Sequence, residues 1–68
     1  MQIEIRSLNP LGKETLRKIQ DIFREAECPN EALRAINGFV KFDGHTVYLG
    51  SATGIYSNTI DVEARDQC

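Results

Sequence analysis

Residues 39–49, FVKFDGHTVYL, decide the fold of this 68-residue chain. Hydrophobic and polar residues alternate on both sides of Asp43-Gly44, which is typical of strands that bury one face. Asp-Gly accepts positive φ at both central positions of a tight turn, so the dipeptide predicts a two-residue hairpin loop. The stretch therefore predicts a β-hairpin with two faces of different polarity.

The register of this hairpin sorts the side chains, because a slip of one residue would mix the two sets. Phe39 is expected opposite Tyr48, and Phe42 opposite His45. The apolar face is expected to carry Val40, Phe42, His45, Val47 and Leu49. The other face is expected to carry Phe39, Lys41, Thr46 and Tyr48.

Outward from the hairpin, the patterns predict two helices and two more strands. Residues 1–6 alternate and predict a strand. Residues 13–27 carry an apolar stripe at intervals of three and four, with helical ion pairs expected for Glu14–Lys18 and Arg17–Asp21. Asn9-Pro10 is a candidate helix start, with Lys13 as the alternative because Gly12 intervenes. A shorter helix is expected over residues 30–36 and a last strand over residues 55–64.

The order β-α-α-β-β-β predicts an α+β fold, with a mostly antiparallel four-stranded sheet and both helices on one face. We expect one domain over residues 1–64 and a polar tail over residues 65–68. The side chains expected under the helices are Ile3, Ile5, Val40, Phe42, Val47, Leu49, Ile60 and Val62.

Composition narrows the functional classes. The formal net charge of −2 disfavours general binding of nucleic acid, which depends on clustered Lys and Arg. The N-terminus lacks an apolar signal core, and no apolar run has membrane-spanning length, so we expect a cytoplasmic protein. Two reduced thiols, Cys28 and Cys68, are then expected. Two cysteines and one histidine cannot fill a four-ligand zinc site, and we expect no metal and no cofactor.

Several residues could in principle carry chemistry, but each has a simpler structural explanation. His45 could act as a general base, although it lacks an evident carboxylate and nucleophile and is expected half-buried at the hairpin tip. Residues 50–54, GSATG, could cradle an anion, yet they lack the Lys and the helix of a P-loop. Asp61 and Glu63 could bind a divalent cation with Glu4, or could be the solvated side of an edge strand. The cations of the long helix are interleaved with carboxylates, which favours ion pairing.

Phe39 and Tyr48 provide the strongest functional signal, because two adjacent aromatic side chains on an exposed sheet face are unusual for a monomer and aromatics dominate interface energetics. The structural alternative is that Phe39 packs under a loop or the second helix, with Tyr48 as an ordinary cross-strand partner. We therefore expect a small non-enzymatic binding protein, an inhibitor or regulator of a protein or protein–nucleic acid complex. Short chains of this kind are common among phage and mobile-element inhibitors of host defence. The alternatives are a homodimer seam, a nucleic-acid-binding module, an oligomer that sequesters a nucleotide-like anion, and a small enzyme centred on His45. The expected partner-binding residues are Phe39, Tyr48, Lys41, Thr46, Asp61 and Glu63.

Overall fold

The structure, a computed structural model, describes residues 1–62. Within them the element order β-α-α-β-β-β and the α+β class are confirmed. The elements are β1 (Gln2–Ser7), α1 (Lys13–Glu25), α2 (Pro29–Ala35), β2 (Phe39–Asp43), β3 (Thr46–Leu49) and β4 (Tyr56–Asp61). Residues 63–68, which include Glu63 and the expected tail, lie outside the described part.

The four strands form one mixed sheet in the order β2-β3-β1-β4. The β2–β3 and β1–β4 pairs are antiparallel, whereas β1 and β3 run parallel. The parallel pair arises because both helices and β2 lie between β1 and β3 in the chain, which is long enough for a crossover. The mostly antiparallel sheet is thus confirmed, with β2 and β4 at its edges.

Helix α1 begins at Lys13, with Gly12 as its N-cap, so the alternative start is confirmed and Asn9 is not the cap. Its apolar stripe buries Ile19 and Phe23. The expected pair of Glu14 with Lys18 forms at 3.7 Å. Asp21 pairs with Arg24 at 2.8 Å, one turn along the helix, and not with Arg17 as expected.

Helix α2 begins at Pro29, one residue earlier than expected. Proline suits the first turn of a helix because the N–H it lacks would have no partner there. Ala32 and Leu33 are buried and face α1 and the sheet. Gly38 has a φ of 84°, which lets the chain turn from α2 into β2.

A single core lies between the helices and one face of the sheet. Ile5 and Val47 at its centre are fully buried on the two central strands, which is why these strands pair in the middle of the sheet. The buried members of the core are Ile3, Ile5, Ile19, Phe23, Ala26, Ala32, Leu33, Ile36, Val47, Ile60 and Val62.

The hairpin turn lies one residue later than the sequence pattern predicts. Asp43 pairs with Thr46, so Gly44 and His45 are the two loop residues. Gly44 has a φ of 64° and His45 has no positive φ, which is the type II′ pattern with glycine first. His45 is therefore exposed in the turn, and its expected position opposite Phe42 is wrong.

An irregularity at Val40 changes the face on which Phe39 lies. Lys41 pairs with Tyr48, as a regular ladder requires, but the register shifts before Phe39, which pairs with Leu49. One extra residue in a strand reverses the alternation beyond it. The expected pairing of Phe39 with Tyr48 is therefore wrong, and Phe39 packs against the core.

The expectation that the helices cover Val40 and Phe42 is also wrong, although Phe42 lies on the helix side of the sheet, opposite Val47. The exposed fractions of Val40 and Phe42 are 44% and 38%, since β2 is an edge strand that the helices cover only in part. In contrast, Ile3, Ile5, Val47, Ile60 and Val62 are buried as expected, and Leu49 packs partly buried against them.

Cys28 lies in the buried segment between the helices, with an exposed fraction of 6%. It is disulfide-bonded, so the expectation of a reduced thiol is wrong for this residue. Cys68 lies outside the described residues. In the described part of the chain, neither helix has the length and hydrophobicity that crossing a bilayer requires.

Candidate functional site

The sheet face opposite the helices is the candidate site, and we call it the open face. Ile3 and Ile5 point into the core, so alternation along β1 directs Glu4 and Arg6 to the opposite side. The strand registers extend this face across the sheet. It comprises Gln2, Glu4, Arg6, Lys41, Asp43, Thr46, Tyr48, Ser57, Thr59 and Asp61.

Glu4 is the centre of a hydrogen-bonded network on the open face. Thr46 Oγ1 on β3 donates to Glu4 Oε1 at 3.1 Å, and Ser57 Oγ on β4 donates to Oε2. Arg6 Nε donates to the same Oε2 at 3.1 Å. One carboxylate therefore connects three neighbouring strands and holds all three donor side chains in place.

These donors favour the ionised form of Glu4 and lower its pKa below the ordinary value. The Ser57 and Thr46 hydroxyls contribute most, and the nearby charge of Arg6 adds to them, whereas partial burial opposes the effect. Glu4 is thus a fixed negative charge over the physiological pH range. Its remaining oxygen lone pairs can accept hydrogen bonds from a partner.

Arg6 also fixes the loop that leads into β4. Its Nη1 donates to the carbonyl oxygen of Gly54 at 3.2 Å. The loop lies so close to β1 that a Cβ on Gly54 would be 2.5 Å from the backbone nitrogen of Ser7. Ile55 N–H donates to Ser7 O at 3.1 Å. The guanidinium is therefore held between a carboxylate and a backbone carbonyl.

Tyr48 and Lys41 form the aromatic part of the open face. Lys41 Nζ lies 4.8 Å from the centroid of the Tyr48 ring, within the range of a cation–π interaction. Lys41 is exposed and Tyr48 is half-buried. The pair therefore places an ammonium group over an aromatic ring on the open face.

A shallow depression lies at the end of the open face near the hairpin turn. Its lining includes one carboxylate, that of Glu4, and consists of Met1, Gln2, Glu4, His45, Thr46 and Thr59. Such a lining can accept a donor group from a partner, because the carboxylate is already ionised and oriented. Across residues 1–62, no three His, Cys, Asp or Glu side chains are grouped to hold a metal ion.

The structure brings together three of the residues expected from the sequence, Lys41, Thr46 and Tyr48. Asp61 also belongs to the open face, paired with Gln2, but it lies on the edge strand two strands away from Tyr48. Phe39 belongs to the core side, and Glu63 lies outside the described residues. The first and last strands are neighbours, but Glu4 lies opposite Thr59 and accepts from the Ser57 hydroxyl, whereas Asp61 lies opposite Gln2.

The site also contains Arg6 and Ser57, which are not among the residues predicted from the sequence. The spacing of Glu4 and Arg6 on one polar strand face already indicates a cross-residue ion pair, and this signal could have identified Arg6. Ser57 could not be found in this way, because its place opposite Arg6 depends on the register of β4 against β1.

Comparisons with known proteins identify no relative. No family model matches the chain, and neither the curated proteins nor the solved structures yielded a significant match.

Proposed function

We propose that this chain is a small non-enzymatic binding protein that regulates or inhibits a larger protein partner by covering part of its surface. The observation that carries the proposal is the organised open face, in which Glu4, Arg6 and Tyr48 are each held by neighbouring side chains. Side chains fixed before binding lose less conformational entropy when a partner docks. The fixed side chains of the open face therefore favour binding to the surface of a partner.

The residue types on this face support a role in recognition. Tyrosine and arginine are enriched among the residues that contribute most to binding energy at interfaces. Tyr48 is half-buried, so its ring is positioned while part of it stays accessible. The Arg6 side chain is 40% exposed although it is held by Glu4. These two side chains are the expected anchors.

The charge balance of the open face favours a protein partner over nucleic acid. It carries two cations, Arg6 and Lys41, and three carboxylates, Glu4, Asp43 and Asp61. Binding to a phosphate backbone draws on clustered cations, and here each cation has a carboxylate or ring beside it. A mixed pattern of this kind instead gives specificity for a complementary charged surface.

The proposal is tested by capture of partners from the cell that produces the protein, with the tagged wild type and two variants. Tyr48→Ala removes the ring and Glu4→Gln removes the fixed charge. We expect one protein partner to bind the wild type at least tenfold more tightly than either variant. Lys18→Ala, on the exposed side of α1, is the matched control and should bind as the wild type does.

Melting curves of each variant establish that the fold is retained. Nuclease treatment and a salt series identify the class of partner, since binding through phosphates weakens steeply with salt. A partner that both open-face variants retain, or one that is lost after nuclease treatment, would contradict the proposal. Phe39→Ala, on the core side, should instead lower stability.

The cytoplasmic location stays a prediction. The disulfide at Cys28 is more typical of an oxidising compartment, because cytosolic thiols are kept reduced. Cell fractionation decides between these locations, and the partner is to be sought in the compartment where the protein is found.

A further inference from the structure

Strand β2 has an uncovered outer edge in the part of the chain that the structure describes. At the opposite edge of the sheet, Gln20 Nε2 of α1 donates to the carbonyl oxygen of Asp61 at 2.8 Å. No other element makes a hydrogen bond to the outer edge of residues 40–43 within residues 1–62. Such an edge presents a row of donors and acceptors that can pair with another strand.

The side chains and backbone of β2 favour pairing at this edge. Val40 and Phe42 are 44% and 38% exposed. Asp43 and Thr46 close the two-residue turn, so the carbonyl of Asp43 points toward β3. Backbone direction alternates along a strand, and therefore the N–H and C=O of Phe42 point outward.

The charges that flank Phe42 are of opposite sign. Lys41 and Asp43 both lie on the open face, one on each side of Phe42. If two β2 strands pair antiparallel about a two-fold axis at Phe42, each Lys41 faces the Asp43 of the other copy. The two Phe42 residues exchange backbone hydrogen bonds, and their rings meet on the helix side. We propose that the chain forms this homodimer through β2.

The same charges select one register. A two-fold axis at Lys41 would place the Lys41 residues of the two chains opposite each other. An axis at Asp43 would do the same with the two Asp43 carboxylates. Like charges directly opposite each other disfavour strand pairing. The Lys-Phe-Asp order thus favours antiparallel pairing about Phe42 over these two registers.

Pairing at β2 would join two four-stranded sheets into one sheet of eight strands. The open faces of both copies would then form one continuous surface, with the two Lys41–Tyr48 pairs near its centre. This inference does not rest on the proposed function, because self-association can be measured in the purified protein without any partner.

Sedimentation velocity over a dilution series tests the dimer. The wild type should form a reversible dimer, with non-reducing electrophoresis of the same samples showing that it is not covalent. Lys41→Glu and Asp43→Lys should each raise the dissociation constant at least tenfold, because each substitution creates two like-charge pairs. Glu25→Lys, an exposed charge change on α1, is the matched control and should leave the constant unchanged.

Mixing the two charge variants is the decisive experiment. An equimolar mixture of the Lys41→Glu and Asp43→Lys chains restores complementary pairs at the interface, so a heterodimer should form at concentrations at which each variant alone is monomeric. Phe42→Pro removes an outward N–H without affecting the pairing with β3, and should give a monomer. A wild type that stays monomeric at millimolar concentration overturns the proposal. So does a dimer that these variants do not weaken, or a mixture that stays monomeric.

Discussion

Gly54→Ala is expected to destabilise the protein, although alanine at most positions outside helices and strands is nearly neutral. The added Cβ would lie 2.5 Å from Ser7 N and 2.8 Å from the carbonyl carbon and Cβ of Arg6. Two of these atoms belong to the backbone of a central strand and cannot rotate away. The loop before β4 must therefore move off β1.

The expected loss in the free energy of unfolding follows from the contacts that this movement disrupts. Forcing an extra methyl group into a packed site costs about 1–3 kcal/mol. Moving the loop also weakens the hydrogen bond from Ile55 N–H to Ser7 O, which contributes roughly 1 kcal/mol net. Alanine restricts the unfolded chain and returns about 0.4–1 kcal/mol. We expect a net loss of about 2–3 kcal/mol, which lowers the melting temperature by roughly 8–24 °C in a domain of this size.

Urea unfolding followed by circular dichroism measures this loss, with Gly12→Ala as the control. Gly12 has a φ of −74°, and no atom lies within 4 Å of an added Cβ. Its substitution should change stability by less than about 0.5 kcal/mol, because the weaker helix cap and the stiffer unfolded chain offset each other. Equal stability of the two variants would refute the argument that close backbone approach requires glycine at position 54.

Two further predictions concern the core and the network on the open face. Ile5→Val, at a fully buried position, should cost about 0.5–1.5 kcal/mol in urea unfolding. Ile55→Val, at a residue 76% exposed, should change stability by less than about 0.5 kcal/mol, and equal losses would contradict the described core. Folding lowers the pKa of Glu4 below its ordinary value of 4.5, so the ionised carboxylate stabilises the fold fully at pH values above 4.5. This stabilisation is lost as the pH falls through the lowered pKa. The stability difference between wild type and Glu4→Gln should therefore shrink from pH 6 to pH 3, and a constant difference would show that the Glu4 network adds no acid dependence.

Most of the architecture was predictable, because local patterns carry it. The stripe of α1 and the alternation in β1 have periods that only one type of element satisfies. The Asp43-Gly44 dipeptide predicts the hairpin turn to within one residue. Two turns compete in this stretch, one with Asp43-Gly44 and one with Gly44-His45 as the loop residues. The choice between them depends on the pairing with β3 and not on the dipeptide alone.

The candidate site was predicted only in part, for the same reason. Tyr48, Lys41 and Thr46 share a face because strand alternation fixes it locally. Phe39 was assigned to the wrong face because the irregularity at Val40 leaves no mark in the hydrophobic pattern. A reduced thiol at Cys28 followed from the expected cytoplasmic location, whereas its disulfide depends on the tertiary structure.

Taken by itself, the sequence determined the type and order of the elements, since these follow from the spacing of apolar residues along a few turns or a few pleats. The tertiary structure decided the strand order, the position of Phe39 and the three donors around Glu4. The hydrogen bond from Ser57 to Glu4, for example, joins residues 53 positions apart in the chain. Contacts over such separations are selected by packing of the whole sheet against the helices, and no local pattern encodes them.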